Sequence, residues 1–337
     1  MSFSDHEAAD PGLVAILAAL KAGGTPVSGE SLAAVTGVSR TAVWKRINRL
    51  KALGYEIAAA PRQGYRLLAV PDKLLPEEVL PGLATRRLRG PLHHFEVIGS
   101  TNDLAKELAA GGAPEGTLVT AEGQQAGRGR LGRQWLSPPG VGLYVSLVLR
   151  PNLPPTEMPA LTLTTAVAGV RAVRRATGLT PDIKWPNDLL LDGKKVAGVL
   201  TEMETESDRI RYLVVGWGLN VNNAGFPPDL ADIATSLRLA AGRTFSRVAI
   251  LRAWLEEFEA LYERFLARDF PAILREWREH NVTLGQEVQV RQGDRLICGR
   301  AVEVDEEGAL LVEQPAGRLI RVVSGEITPD PGRGPGQ

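Results

Sequence analysis

The alternation of apolar and polar positions divides the chain into three parts. In the first part, apolar residues recur at helical spacing in three segments, and two short strand-like segments follow. The third helical segment begins after Ser39, a good N-cap, and places Val43, Ile47 and Leu50 on one face. A glycine-containing turn precedes this segment, and the two strands would form a hairpin. We therefore predict a winged helix-turn-helix domain over residues 1–68.

The middle part alternates strand-like with helix-like segments. Three prolines punctuate a linker, residues 69–90, in which one short helix is expected. Strands are predicted at 94–98, 118–121, 143–149, 183–185, 195–202 and 212–221. Helices are predicted at 102–110, 159–177 and 247–267. This alternation indicates one α/β domain over residues 91–281.

The last part returns to a period of two. Apolar residues alternate with polar ones before and after a turn at DEEG, residues 305–308. This pattern predicts a small β-barrel over residues 282–329. The final residues, 330–337, contain no core-forming side chain and are predicted to be disordered. The fold class expected for the whole chain is an α+β multidomain protein.

The composition is typical of a soluble protein with several domains. A length of 337 residues suggests two or three domains, and 44% apolar with 23% charged residues is an ordinary balance. The single cysteine, Cys298, excludes an internal disulfide and an all-cysteine zinc site, and no metal site is predicted. No apolar run approaches the ~18 residues that span a bilayer, and the first residues are acidic where a targeting signal needs bases. We expect a cytoplasmic protein with no membrane partner.

The formal net charge of zero conceals two parts of opposite sign. Residues 1–66 carry eight bases and five acids, a net charge of +3, and the remainder carries −3. Such a charge run alone is more typical of a solvated helix in a protein-docking module, but here it coincides with helix-turn-helix spacing and a basic wing. The predicted DNA-binding residues lie on the third helix, its cap or the wing: Ser39, Arg40, Thr41, Lys45, Arg46, Arg49 and Arg62.

A glycine- and arginine-rich segment, GRGRLGR at 127–133, formally contains the dinucleotide fingerprint G-x-G-x-x-G. The context contradicts that interpretation, because QQA precedes it, the following QWLSPPG is not helical, and no acid lies ~20 residues further on. Glycines let a backbone approach a ligand closely, and guanidinium groups match carboxylate or phosphate oxygens. The segment predicts a loop whose arginines, Arg128, Arg130 and Arg133, close over an anion. An ordinary glycine-rich surface loop is the plainer alternative.

A second cationic motif, KWPNDLLLDGKKVAGVL, begins at Lys184. It places Lys184 and Asp188 at a strand-to-turn junction and Lys195 at the head of an apolar strand, where its ammonium group can enter a pocket. Lys194 is interpreted as a solvated turn residue. Together with the arginine loop, these cations favour a polyphosphate ligand. The sequence contains no motif of the P-loop nucleotide hydrolases, the zinc deaminases or the serine hydrolases.

Four segments taken in order are more specific than any of them alone. They are STN at 100–102, QQAGRGRLGRQW at 124–135, KWPNDLLLDGKKVAG at 184–198 and GLNVN at 218–222. This set, behind a winged helix, resembles the family of bifunctional biotin protein ligases that also repress the biotin operon, the BirA family. The resemblance implies a class II synthetase-like α/β catalytic domain and a C-terminal SH3-like β-barrel.

The resemblance further implies a reaction in two steps. Biotin and ATP, the latter with Mg²⁺, would give biotinyl-5′-AMP, and the biotinyl group would pass to a lysine of the biotin carboxyl carrier protein of acetyl-CoA carboxylase. An ionised carboxylate needs no general base to attack phosphorus, so cations that align it and neutralise charge are appropriate. The family also implies a homodimer that binds operator DNA and represses the genes of biotin synthesis.

The resemblance also implies roles for residues that match the motifs. The expected biotin-binding residues are Ser100, Thr101, Asn102, Gln124, Arg128, Gly129, Arg130 and Lys195. The expected ATP and adenylate residues are Arg128, Arg130, Arg133, Trp135, Lys184 and Asn220. The expected catalytic residues are Arg130, Lys195, Lys184 and Asp188. Asp188 is interpreted either as the group that orients or deprotonates the incoming lysine or as a turn cap, whereas Trp185 and Trp217 are expected in the wall or core.

Two other functions stay open at this point. A lipoate-type ligase shares the acyl-adenylate chemistry and a similar fold, although GRGRLGR together with KWPND favours biotin. A ligand-sensing transcription factor without ligase activity would need a pocket, but not cations suited to both a carboxylate and a triphosphate. The C-terminal barrel is compatible with ATP binding, carrier docking or domain closure.

Overall fold

A computed structural model describes residues 10–60, 63–293, 295–315 and 317–329. Arg62 and the tail 330–337, with its predicted disorder, lie outside the described residues. The N-terminal part forms the helices α1 (Pro11–Gly23), α2 (Gly29–Thr36) and α3 (Arg40–Ala52) and then an antiparallel hairpin of β1 (Glu56–Ala60) and β2 (Gly64–Ala69). This is the winged helix-turn-helix arrangement that the sequence predicts.

Local capping and a small apolar core explain why these helices form. Ser28 Oγ accepts a hydrogen bond from the N–H of Ser31, and Ser39 Oγ accepts one from Ala42, so both hydroxyls satisfy donors at a helix start. Gly37, at φ 66°, ends α2 in the left-handed conformation that favours glycine. The helices pack together through the buried side chains of Leu13, Ile16, Leu32, Val43, Ile47 and Leu50.

The segment predicted as a linker is packed against both neighbouring parts. It contains the short helix α4 (Pro76–Val79), as expected. Its adjacent residues Leu74 and Leu75 are fully buried, Leu74 in the core of the central part and Leu75 in the core of the winged helix. Glu78 of α4 accepts a hydrogen bond of 2.6 Å from the hydroxyl of Tyr55. Burial of the two leucines therefore attaches this segment to the central part and to the winged helix.

The central part is a mixed sheet with helices packed on it. Its strands are β3 (Leu92–Ile98), β4 (Leu118–Gln124), β5 (Gly142–Leu149), β6 (Asp182–Lys184), β7 (Asp188–Leu191), β8 (Lys194–Glu206) and β9 (Arg209–Asn220). They lie in the order β3-β4-β5-β9-β8-β7-β6; β3 and β4 run parallel, and the other neighbours are antiparallel. The helices are α5 (Thr101–Ala110), α6 (Met158–Thr177), α7 (Leu237–Ala241), α8 (Arg247–Leu266) and α9 (Phe270–His280).

The elements β7, α7 and α9 are additions to the prediction. β7 is four residues long and begins at Asp188, the last residue of the PND segment, which the sequence predicts at a turn. α9 carries Phe270, Ile273, Leu274 and Trp277 at the spacing of a buried helix face, and all four are buried. Its signal was therefore present in the sequence. The other central elements begin and end within a few residues of their predicted bounds.

The C-terminal part is an antiparallel sheet, in keeping with its period of two. Its strands are β10 (Glu287–Gln292), β11 (Arg295–Val304), β12 (Leu310–Glu313), β13 (Leu319–Val322) and β14 (Glu326–Pro329), in the order β13-β12-β11-β10-β14. Inward side chains such as Val290, Ala301 and Val312 are buried and join the core of the central part. Across the described ranges, no helix is long and apolar enough to cross a membrane.

Candidate active site

A cleft of about 1030 Å³, a volume that includes solvent at its mouth, is lined by β8, β9 and the loops around them. The first residues of α5, the end of β4, the arginine loop, the β6–β7 turn and residues 325–327 of the C-terminal part contribute to its wall. The predicted site residues that line it are Ser100, Thr101, Asn102, Gln124, Arg128, Gly129, Arg130, Arg133, Trp135, Lys184, Asp188 and Lys195. Asn220 is not a lining residue, because it is buried and its Nδ2 donates to the carbonyl of Thr235.

The start of α5 is fixed to the end of β4 by hydrogen bonds. Ser100 caps the helix, its Oγ accepting from the N–H of Asp103. The backbone N–H and the hydroxyl of Thr101 both donate to Gln124 Oε1, at 2.9 and 3.1 Å. Gln124 Nε2 in turn donates to Ser137 Oγ at 2.9 Å. These contacts fix the orientation of the Gln124 amide and leave hydroxyl and amide groups facing the cleft.

Ser146 of β5 organises the same group of residues and was not predicted. It is fully buried, and its Oγ lies 2.6 Å from Asn102 Oδ1 and 2.8 Å from Thr101 Oγ1. The hydroxyl therefore ties two cleft residues of α5 to the sheet beneath them. In the sequence, Ser146 is one small residue within an apolar strand, and its partners are more than forty positions away.

Two glycines of β9 make room for side chains on the floor of the cleft. A Cβ atom at Gly216 would lie 2.2 Å from Asn102 Oδ1, and one at Gly218 would lie 2.7 Å from Trp135 Nε1. Real Cβ atoms essentially never lie this close to another heavy atom, so a side chain there would displace its neighbour. The first residue of the GLNVN motif, Gly218, is therefore a glycine because Trp135 occupies the space that a side chain would need.

Arg128 is held at the rim of the cleft by two carboxylates. Its Nη2 lies 2.7 Å from Glu202 Oε2 and 2.8 Å from Asp103 Oδ1. Glu202 also accepts a hydrogen bond from Asn102 Nδ2 at 2.9 Å and pairs with Lys106 Nζ at 3.0 Å. Burial opposes the ionisation of Glu202, but the hydrogen bonds from Asn102 and Lys106 and the charge of Arg128 outweigh it and lower its pKa.

Replacing Glu202 by glutamine is expected to lower the free energy of unfolding by about 1 kcal/mol at neutral pH. A carboxylate whose pKa falls on folding contributes stability above the pKa of the unfolded chain, and this contribution disappears as the pH falls through the lower pKa of the folded state. The difference between parent and Glu202→Gln, measured by urea unfolding, should therefore be largest near pH 7 and should shrink toward zero below about pH 4. A difference that does not change with pH would contradict this assignment.

Arg130 connects the arginine loop to the β6–β7 turn. Its Nη1 donates to Asn187 Oδ1 at 3.1 Å, and Asn187 is fixed by donating from Nδ2 to the carbonyl of Val199 at 2.7 Å. Burial lowers the pKa of the Arg130 guanidinium. Arg133, by contrast, is largely exposed and forms an ion pair with Glu326 of the C-terminal sheet. The loop is thus anchored on both sides of the cleft.

Lys195 and Asp188 form an ion pair between β8 and β7. Lys195 Nζ lies 2.6 Å from Asp188 Oδ1 and 5.5 Å from the ring centroid of Trp135. Both side chains line the cleft, so the ammonium group and the carboxylate meet inside it. Lys184 also lines the cleft, and within the described residues it has no carboxylate partner. Trp185 and Trp217 lie in the wall and are 1% exposed, which agrees with the expectation for them.

The cleft therefore combines two kinds of chemistry. The α5 and β4 side offers hydroxyl and amide groups that can both donate and accept hydrogen bonds. Arg130, Lys184 and Lys195 supply positive charge suited to a carboxylate and phosphates. Among the described residues, no group of three or more histidine, cysteine, aspartate or glutamate side chains could hold a metal ion.

A second candidate surface is the exposed side of α3. Arg40, Thr41 and Lys45 are exposed on it, and Ser39 caps the helix, so these predicted residues share one surface. Arg46 and Arg49 are placed differently: both reach back toward Asp10 at the start of α1, at 3.9 and 3.5 Å. Of the predicted DNA-binding arginines of α3, Arg46 and Arg49 therefore pair with Asp10, and Arg49 is nevertheless exposed.

The fold and the cleft define a class: a winged helix-turn-helix domain joined to a catalytic domain of the biotin/lipoate protein ligase type. The profile of the biotin/lipoate A/B protein ligase family matches residues 94–220. Profiles of a helix-turn-helix domain and of the biotin protein ligase C-terminal domain match residues 13–66 and 283–328. The chain belongs to the biotin/lipoate A/B protein ligase family.

Individual proteins similar to the chain place it more closely. The chain is 42% identical over 309 residues to a bifunctional ligase/repressor BirA of Bacillus subtilis, covering 91% of this chain and 95% of the relative. It is 32% identical to a biotin--[acetyl-CoA-carboxylase] ligase of Mycobacterium tuberculosis over 68% of this chain and 85% of that protein. A biotin protein ligase of Aquifex aeolicus in complex with biotin and ATP superposes with a TM-score of 0.60 at 32% identity, covering 70% of this chain and 97% of that one.

Proposed function

We propose that this protein is a bifunctional biotin protein ligase and transcriptional repressor. The observation that carries the ligase proposal is the convergence of the Thr101–Gln124 hydrogen-bonded pair with Arg130, Lys184 and Lys195 in one cleft. The first group suits the ureido ring of biotin, which both donates and accepts, and the second suits its carboxylate and the phosphates of ATP. The names of the relatives and the ligands of the Aquifex structure support the same assignment.

The proposed first step joins biotin to AMP. A carboxylate oxygen of biotin attacks the α-phosphorus of ATP, an O–P bond forms, the bond to the leaving phosphate breaks, and pyrophosphate departs. Lys195 pairs with the carboxylate and then with the acyl-phosphate oxygens, Arg130 holds the phosphate, and Lys184 faces the triphosphate. Mg²⁺ is proposed to enter with ATP and to neutralise phosphate charge, and Trp135 offers an aromatic ring for adenine.

The proposed second step transfers biotin to a lysine of the carrier domain of acetyl-CoA carboxylase. The amine nitrogen attacks the acyl carbon, the acyl C–O bond to AMP breaks, and the nitrogen loses one proton. Asp188 is the proposed acceptor or orienting group, because its carboxylate points into the cleft beside Lys195. Biotin ends in an amide bond to the carrier, and AMP is released.

The repressor part of the proposal rests on the winged helix and its basic α3. Helix-turn-helix proteins read paired half-sites as dimers, so we propose a homodimer that binds operator DNA of biotin synthesis genes. A cytoplasmic location with reduced Cys298 belongs to the same proposal. The proposed domain bounds are 1–68 for the winged helix, 69–90 for the linker, 91–281 for the ligase domain and 282–329 for the C-terminal barrel.

The test is a transfer assay that separates the competing functions. The protein is incubated with Mg-ATP, an unbiotinylated carrier fragment and either radiolabelled biotin or radiolabelled lipoate. A biotin ligase labels the carrier with biotin alone. Preferential labelling with lipoate would assign a lipoate-type ligase, and binding of biotin without any transfer would assign a ligand-sensing transcription factor.

Replacing Ser146 by alanine is expected to raise the dissociation constant of biotin ~10-fold, since buried hydrogen-bonding groups of Asn102 and Thr101 lose their partner. Because Ser146 does not contact the phosphate-binding cations, the rate of adenylate formation at saturating biotin should change little. Isothermal calorimetry and single-turnover kinetics measure the two quantities. Thr164→Val, which removes a buried hydroxyl bonded within α6, is the control. Similar biotin affinities in both variants would remove Ser146 from this role.

A further inference from the structure

Trp44 on α3 is exposed, whereas the other tryptophans of the fold are buried or half-buried. Its side chain is 55% exposed, whereas Trp185, Trp217, Trp254 and Trp277 are each at most 1% exposed. Tryptophan is well buried on average in folded proteins, and it is strongly enriched among the residues that dominate binding interfaces. An exposed indole on a short helix therefore calls for a partner outside the fold.

The neighbours of Trp44 on the helix surface form one continuous patch. Thr41, Trp44, Lys45 and Asn48 are separated by three or four positions, the spacing of adjacent side chains on a helix, and all four are exposed. We call these four residues the α3 patch. The opposite face of α3 is the core face described above, so the patch points away from the domain.

Electrostatics identifies the chemical class of the partner. α3 carries Arg40, Lys45, Arg49 and Lys51 as exposed bases and contains no acid. Arg46 and Arg49 lie outside the α3 patch and turn toward Asp10. Within the patch, the indole ring of Trp44 lies beside the cationic side chain of Lys45. A positive, acid-free helix surface suits a polyanion, and the first turns of the second helix in this motif are the part that enters the major groove.

We propose that Trp44 contacts bases directly, packing its indole against the C5-methyl group of a thymine in the major groove of duplex DNA. This inference rests on the proposed DNA binding and deepens it. The other patch residues have complementary chemistry: asparagine pairs with adenine edges, lysine with guanine acceptors, and threonine with either. The methyl group of thymine is the apolar feature of the groove, and Trp44 is the apolar member of the patch. Trp44 and Asn48 thus join the predicted readers Thr41 and Lys45.

The test uses the full-length protein and begins with selection of bound sequences from a random duplex library. The preferred duplex is then made in a second form, with each thymine of the selected half-site replaced in turn by deoxyuridine, which removes only the methyl group. Affinities of the parent, Trp44→Ala and Trp44→Phe are compared for both forms and for an unrelated duplex. Val35→Ala, which truncates another exposed apolar side chain of the same domain, is the matched control.

The expected result is a coupled loss. Trp44→Ala should bind the selected duplex ~10-fold more weakly while keeping its affinity for unrelated DNA. At one position, replacing thymine by deoxyuridine should also lower the affinity of the parent and of Trp44→Phe for the duplex ~10-fold. The same replacement should not change the affinity of Trp44→Ala. Biotin transfer to the carrier fragment by every variant should match the parent, which shows that the catalytic part is intact, and the unchanged affinity for unrelated DNA shows that the winged helix is folded.

Other outcomes distinguish the two levels of the proposal. If the parent selects no sequence, the proposed repressor function fails, and the role of Trp44 fails with it. If the parent selects a sequence but Trp44→Ala binds it as tightly as the parent, DNA binding stands and the role of Trp44 is wrong. If Trp44→Ala loses affinity but no deoxyuridine position affects the parent, the thymine contact is wrong.

Discussion

Replacing Lys195 by alanine is expected to slow adenylate formation ~100- to 1000-fold and to weaken biotin binding by at least about 2 kcal/mol. The ammonium group of Lys195 lies 2.6 Å from Asp188 Oδ1 in the cleft. Removing it takes away the proposed partner of the biotin carboxylate and also leaves the Asp188 carboxylate without its counter-charge. Two like charges would then face each other at the reacting centre, which is why the effect should be large.

Calorimetry with biotin and single-turnover kinetics with ATP measure the two losses separately. Lys194→Ala is the matched control, because Lys194 is the adjacent lysine on β8 and its Nζ donates to the carbonyl of Ala231 outside the cleft. The double variant Lys195→Ala, Asp188→Asn should recover part of the biotin affinity, since the repulsion is removed. Unchanged biotin affinity in Lys195→Ala would exclude Lys195 from the site.

Replacing Arg130 by glycine is expected to preserve adenylate formation but to release the adenylate ~10- to 100-fold faster, as loss of a charge-assisted hydrogen bond predicts. Arg130 Nη1 donates to Asn187 Oδ1 and so connects the arginine loop with the β6–β7 turn. Without this connection, and without the guanidinium that is proposed to hold the phosphate, the activated biotin can leave the cleft. Biotin should then become attached to lysines of bystander proteins.

A dissociation assay with preformed radiolabelled adenylate measures the release directly, and labelling of added serum albumin measures the escape. Leu131→Gly is the control, because Leu131 is exposed in the same loop and already has a positive φ of 56°, so glycine there adds backbone freedom without removing charge. Equal retention of adenylate by Arg130→Gly and the parent would show that Arg130 does not hold the intermediate.

The predictability of the site from sequence depends on the separation between partners. GRGRLGR and KWPND carry their chemistry within a few positions, and the cations they supply do meet in one cleft. Ser146 and Glu202 were missed because each acts on Asn102, 44 and 100 positions away. Only the order of strands β5, β9 and β8 brings them together, and no local pattern encodes that order.

The surface of α3 shows a different limit. A count of bases correctly points to a positive helix, but it weighs Arg46 and Arg49 like Arg40 because it ignores Asp10 on α1. The same count passes over Trp44 and Asn48, which carry no charge. Helical position predicts which side chains face away from the core, whereas tertiary contacts decide which of the charged ones have an acidic neighbour.

The linker illustrates a related limit. The prolines predict a linker with one short helix but not its packing, in which the buried side chains of Leu74 and Leu75 fix the segment on both sides. The alternating and helical periods elsewhere were long enough to override single residues, and there the predicted elements agree with the structure. In this short segment, the packing depends on two leucines, which form no period that a sequence pattern could reveal.

That pair of leucines has a consequence for how the protein can be divided. One peptide bond joins two hydrophobic cores, so the winged helix is not a module that detaches at residue 68. A fragment ending there would lose Leu75 from its interior and Glu78, the partner of Tyr55. Leu74 also donates from its N–H to Glu122 on β4, the strand that ends at Gln124. The winged helix and the central sheet are therefore held together through residues 74–78, and a domain exchange between relatives would have to carry this segment intact.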